Sequence, residues 1–237
     1  MLTEIYRILV ECLGVPPTEF EWTMRDKDGN VTTKKYTPKS FYNEFIGEDL
    51  ENNYVMIMND PSREYGKVYE IDYDRHVYDG HNWLYINLPI ERVKEIAIAS
   101  IKDNTAMYFS CDVAKYLNST KGTMDLKNFD YESFFATDFP MNKKQRIQTF
   151  ASGSSHAMTL IAVDIDKDGK PTKWMVENSW GAEAGYKGCL IMTDEWFNEY
   201  MFRVVAEKQY VPADVLKMLE QKPIKLPAWD PMFQPEE

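Results

Sequence analysis

Basic charge is scarce in this sequence: 27 lysines and arginines stand against 38 aspartates and glutamates, a formal net charge of -11. A generic nucleic-acid binder needs a basic footprint to neutralise phosphates, and none is present. Long apolar runs are missing as well, so no stretch has the length of a membrane-crossing helix. The opening MLTEIYRILVECLGV is interrupted by Glu4 and Glu11. It has neither the basic leader nor the small-residue cleavage site of a signal peptide. Cysteine is rare: Cys12, Cys111 and Cys189 form an odd set without CxxC spacing. That argues against a disulfide framework or a zinc site, and for a reducing compartment, the cytoplasm. No internal repeat, low-complexity linker, metal motif or cofactor motif is visible, so neither a metal nor an organic cofactor is expected.

What is there reads as globular. Hydrophobic residues make up 44% of the 237 and aromatics 14%, enough for a sizeable core. Leu2, Ile5, Ile8, Leu9 and Leu13 recur at helical spacing, so residues 3–13 form an amphipathic helix ended by Gly14 and Pro16-Pro17. EWTMRDKDGNVTTKKY reads as a hairpin, and Thr37-Pro38 opens a short capped helix. KVYEIDYD, NWLYINLPI and AMYFSCDV are strand candidates; from Pro89, IERVKEIAIASIKDN is helical with a Val93, Ile96, Ala97, Ile101 stripe. Residues 114–152 are loop-rich, with a short helix near Tyr131–Phe135. HAMTLIAVDID and KPTKWMVENSW flank a turn at Asp166–Lys170. GCLIMTDEWF and YMFRVVAEKQYV add strand character, PADVLKMLEQ is a last helix, and LPAWDPMFQPEE is an irregular tail.

The chemistry-bearing residues are His156, Asn178 and Trp180. His156 starts an apolar strand, and Asn178 ends the strand after the turn, in ENSWG. A tight hairpin brings these two strand ends together. The Asn carbonyl then accepts a proton from one ring nitrogen and fixes the tautomer, leaving the other free to take a proton from a thiol. Trp180 is placed to cover that hydrogen bond and exclude water. Taken singly, a lone His beside a strand is more often structural, and NSWG is a turn with a packed Trp; the combination is far rarer.

HAMTLIAVD, TKWMVENSWG, GYKG, MTDEWFNEY, LPAWDPM, FSCDV, YRILVECLG and YTPKSFYNEF closely resemble segments of the bleomycin hydrolase and bacterial aminopeptidase C family of papain-like cysteine peptidases. The resemblance extends over essentially the whole chain. It implies an α+β fold. Residues 1–105 would belong to the family's helical and strand insertion. Residues 106–237 would be the papain-like lobe with its catalytic His and Asn and the C-terminal tail, the stretch from about Ala106 to Val211 forming an antiparallel half-barrel. It further implies a thiol aminopeptidase that removes amino-terminal residues from peptides, in which His156 is general base and acid and Asn178 its orienter. The family commonly assembles as homohexamers, so a homo-oligomer is expected, with no nucleic-acid or membrane partner.

Family members carry the nucleophile in a Gln-x-x-x-x-x-Cys-Trp segment, and this sequence has no such segment. The expectation is therefore a C-terminal part that lacks the catalytic-Cys lobe and is inactive without it. That lobe would be a missing N-terminal segment or a separate chain. Cys12 lies 144 positions before His156, within the spacing of small papain-type enzymes. Its setting is an apolar helical face with no adjacent Trp, and it matches a family region beyond the active-site helix. Cys111 and Cys189 read as buried small hydrophobes. The competing reading is a non-catalytic assembly or binding module, or a gene remnant. In the family the tail lies in the active-site cleft and usually continues PAWDPM with small residues. Here it runs Phe233-Gln-Pro-Glu-Glu237, whose bulk, rigid proline and added charge put that placement in doubt.

Overall fold

The structure, a computed structural model, describes residues 1–75 and 77–233. It divides into two compact units, Met1–Asn52 and the chain from Asn53 onward. The expected division at 105/106 falls inside the second unit.

The first unit is built from local signals. Helix α1 (Leu2–Leu13) buries none of its residues and stops at Gly14. Strands β1 (Phe20–Arg25) and β2 (Val31–Tyr36) pair antiparallel. Asp26 makes their turn by accepting the backbone N–H groups of Asp28 and Asn30 on Oδ1. Helix α2 (Pro38–Phe45) opens with a capping box: Thr37 Oγ1 accepts from the Ser40 N–H and Ser40 Oγ from the Thr37 N–H. Phe41 then packs its ring on Phe20, Trp22, Tyr36 and Phe45 at centroid distances of 4.5 to 5.6 Å. Tyr36 is the buried member of this cluster.

The second unit is a mixed sheet with helices packed on it. The short helix α3 (Leu50–Asn53), which spans the boundary between the units, leads into β3 (Tyr54–Met58). Then come β4 (Lys67–Ile71), β5 (Leu84–Asn87), α4 (Ile90–Lys102) and β6 (Met107–Cys111). After the two-residue strands β7 (Leu117–Asn118) and β8 (Thr123–Met124) come α5 (Tyr131–Phe135) and α6 (Lys143–Gln148). The chain continues through β9 (His156–Ile165), β10 (Pro171–Glu177), β11 (Cys189–Thr193), α7 (Asp194–Tyr200) and β12 (Met201–Glu207). It ends with α8 (Ala213–Leu216) and β13 (Ile224–Leu226). Among the described residues the sheet order is β13-β4-β5-β3-β12-β6-β9-β10-β11-β8-β7. The run from β3 through β12, β6, β9 and β10 to β11 is antiparallel throughout. Parallel pairs enter outside it, at β3–β5, β13–β4 and β11–β8. The sheet thus recruits strands from before residue 106, and it is mixed rather than wholly antiparallel.

Period-two burial explains the central strands. Met158 and Leu160 of β9, Trp174 and Val176 of β10, and Leu190 and Met192 of β11 face one buried cluster with Phe109, Trp196 and Phe197. Helix α4 closes the cluster with Val93, Ile96 and Ala97. Its Lys94 is buried too, and it reaches Asp194 Oδ2 at 2.6 Å while Trp174 Nε1 donates to Asp194 Oδ1 at 2.9 Å. A buried charge is tolerated when it is paired and hydrogen-bonded in this way.

Two helices depart from the sequence reading. DEWF, read as part of the strand segment GCLIMTDEWF, is the start of α7, because Thr193 caps it and Asp194 and Glu195 occupy its first turn. Helix α6 lies within the stretch read as loop, and its signal is an Asn142–Gln145 capping box. The Nζ of its buried Lys143 donates to Asn59 Oδ1 (2.7 Å), Asn198 O (3.1 Å) and Met201 O. Burial lowers the Lys143 ammonium to about 7, against the opposing charges of Glu199 and Asp60. The tail is also more regular than its proline content suggests. Leu226 pairs in β13, Asp230 and Met232 are fully buried, and Arg63 holds Asp230 in an ion pair. Residues 234–237, the rest of the atypical tail, lie outside the described residues.

Candidate active site

The β9–β10 hairpin sets the site. Asp166 Oδ1 accepts the N–H groups of Asp168 and Lys170, both at 2.9 Å. Gly169 takes φ +82°, a conformation open to glycine and strained for other residues. The two strands then run back antiparallel to Thr159↔Glu177, with a register irregularity between Met175 and Val176 that re-aims the strand end. His156, the first residue of β9, and Asn178, one past the end of β10, thereby become neighbours.

His156 Nε2 lies 2.9 Å from Asn178 Oδ1. The Ser179 N–H also donates to Asn178 Oδ1, at 2.8 Å. A backbone donor demands the oxygen, so the amide cannot present its nitrogen to the ring without setting two donors face to face. Nε2 must then carry the proton, and Nδ1 of the neutral ring is left without one. Asn178 is itself held by its own N–H, which donates to Gly188 O at 2.9 Å. Its amide nitrogen Nδ2 is buried without a partner among the described residues. The Trp180 ring lies 5.4 Å from the imidazole, tilted by 32°. It is still 46% exposed, so it shelters one side of the imidazole and leaves water access elsewhere.

The cysteines are placed as follows. Cys12 is exposed on α1, in the other unit. Cys189 is half-buried and pairs with Glu177 across β10 and β11. Cys111 stands directly opposite His156 in the β6–β9 ladder, a proximity that sequence spacing did not suggest. Cross-strand partners share a face of the sheet. Its thiol, however, is fully buried, and burial, with the Asp112 charge adding to it, pushes its pKa well up. That favours an inert thiol over a thiolate. Among the described residues no group of three or more His, Cys, Asp or Glu is placed to hold a metal ion, and no helix is long and apolar enough to cross a membrane. An open cavity of about 660 Å³ lies elsewhere in this unit, lined by Tyr116, Tyr131, Arg146 and Tyr200 among others and by none of the three site residues.

The structure thus presents a His–Asn pair at the ends of two strands of a mixed sheet. The family model described as Peptidase C1-like matches residues 1–233, and the chain belongs to that family of cysteine peptidases. It is 45% identical to human bleomycin hydrolase over 240 residues, 98% of this chain and 52% of that protein. Aminopeptidase C of Lactococcus lactis subsp. cremoris is 38% identical over 234 residues, again 98% of this chain and 53% of the relative. The crystal structure of pepw from Lactobacillus rhamnosis superposes with a TM-score of 0.91 at 37% identity, covering 98% of this chain and 53% of that one. The chain thus spans about half the length of the curated relatives it matches.

Proposed function

We propose that this chain supplies the imidazole half of a cysteine aminopeptidase site, and that the thiol comes from polypeptide outside these 237 residues. The observation that carries the reading is the oriented imidazole: Nε2–H held by Asn178, with Nδ1 free. A thiol brought to Nδ1 would give up its proton there, forming a thiolate–imidazolium pair. The thiolate would attack the carbonyl of a peptide bond next to the amino terminus, and the imidazolium would return the proton to the leaving amine. Water, deprotonated by the same nitrogen, would then attack the thioester, expelling the thiolate and releasing the amino-terminal residue as a free acid. Asn178 acts by keeping the ring in one tautomer. The names of the relatives support the aminopeptidase class, and the raised pKa of the buried Cys111 supports an external nucleophile.

The test is hydrolysis of an aminoacyl fluorogenic amide by the chain alone and after mixing with a polypeptide bearing the Gln-x-x-x-x-x-Cys-Trp segment. Turnover should require both components and disappear with His156→Ala. Activity of the isolated chain that Cys12→Ala or Cys111→Ala abolishes would overturn the external nucleophile. A folded mixture without turnover would favour a non-catalytic member of the family.

A further inference from the structure

The Ser154 N–H, two residues ahead of His156, donates to Met232 O at 2.8 Å. The tail is therefore bonded directly to the segment that enters β9. Around this bond sits Arg203 of β12. Its Nε donates to Ser154 Oγ at 3.0 Å, its Nη1 to Tyr85 OH at 3.1 Å and its Nη2 to Ser110 Oγ at 3.4 Å. Ser110 and Ser154 also share a hydrogen bond between their hydroxyls. The same guanidinium lies 5.1 Å from the ring of Phe233, which packs on Tyr85 at 5.1 Å. Tyr85 OH donates onward to Asp74 Oδ2 at 3.2 Å. One arginine thus grips Phe233 in the tail's last described turn, Ser110 of β6, and Ser154 in the segment leading to the imidazole. A planar five-donor group can make these contacts at once while offering a face to an aromatic ring, and a lysine cannot.

We propose that Arg203 and Phe233 form a latch that fastens the C-terminal tail to the entry of β9, making the tail a positioning element for the His156 imidazole. The proposal deepens the peptidase reading and rests on it for its catalytic consequence. The latch has a geometric logic. Asp230, buried and paired with Arg63, anchors the tail upstream, and its Oδ1 accepts the Met232 N–H. Phe233 closes the other end, so that Met232 O is held at the Ser154 N–H from both sides. Without the Phe233 contact, the Met232–Ser154 bond loses its restraint on the downstream side of the tail. The Ser154–Ser155 backbone then loses a restraint immediately before the residue whose ring must meet Asn178.

Hydrogen exchange of the Ser154 amide and the imidazole resonances of His156 test this without any enzyme assay. The sequence holds only three histidines, so the His156 signals can be assigned by substitution of the others. Phe233→Ala and Arg203→Gln should each speed Ser154 exchange by about tenfold, the scale of a lost cation–π and ring contact, and shift the His156 signals. Exchange of the buried Phe109 amide should stay unchanged, which separates local release from unfolding. Phe233→Tyr should restore both readouts. If Phe233→Ala, a change at a half-exposed tail residue, leaves Ser154 protected and the imidazole unmoved, the latch is wrong. The peptidase reading would stand in that case, because the His156–Asn178 bond is read separately in the same spectra.

Discussion

The two units hold themselves together by different means. In Met1–Asn52 the contacts are short in sequence: a capping box, an Asp-centred turn, and four rings gathered around Phe41, of which Tyr36 is the buried member. In the unit from Asn53 onward, the sheet orders strands far apart in the chain, and its core contains fully buried Trp174, Trp196, Phe109 and Phe197. Buried area scales the stabilisation, so the second unit should tolerate neither cavities nor unpaired polar groups, whereas the first should lose little from any one side chain. The imidazole site belongs to the second unit, whose packed core can hold a side chain in place.

That contrast can be broken by substitution. Trp174→Ala removes a ring stacked on Phe197 at 4.5 Å and the hydrogen bond to Asp194. It should cost the second unit about 3–5 kcal/mol in denaturant unfolding. Phe41→Ala should cost the first unit about 1 kcal/mol, because its ring is half-exposed. Equal losses would contradict the comparison.

Lys143→Met should cost less than Trp174→Ala, and by an amount that depends on pH. The folded-state pKa of about 7 lies below the ordinary lysine value of 10.5, so between those values the unfolded chain holds a proton that the folded chain has released. Wild-type stability should then rise with pH through that window relative to the variant, and the two should run parallel below pH 7. Parallel unfolding free energies across the whole range would show that the three acceptors around Nζ keep the ammonium charged.

Ser152→Ala breaks the buried 2.6 Å bond from Ser152 Oγ to Asp112 Oδ2, an effect of about 1–3 kcal/mol by thermal or denaturant unfolding. Thr37→Ala removes the cap of α2 and should cost about 1 kcal/mol, confined to the first unit's transition. A larger loss for the cap than for the buried serine would reverse the order of the two units.

Legibility in the sequence followed the same divide. The α1 stripe, the β1–β2 hairpin and the proline-opened α2 were readable because each signal sits within a few residues. The His156–Asn178 pairing was readable for the same reason: one Asp-Gly turn fixes which strand ends meet. The sheet order was not readable, since β3 pairs with β12 and β13 with β4, partners that lie far along the chain. Helix α7 was misread because Trp196 and Phe197 favour strands by composition, while the short code Thr193-Asp-Glu decides for a helix. The placement of Cys111 opposite His156, and of Arg203 between Ser154 and Phe233, depends on strand register and tail docking, which no local pattern encodes.

The central claim is that Asn178 holds the His156 ring as the Nε2–H tautomer with Nδ1 free for a thiol's proton. Long-range proton–nitrogen NMR of the neutral imidazole reads this directly. The account predicts a single Nε2–H form in the wild type that gives way to a tautomer mixture in Asn178→Ala. A wild-type ring protonated at Nδ1, or one indifferent to the loss of Asn178, would contradict it.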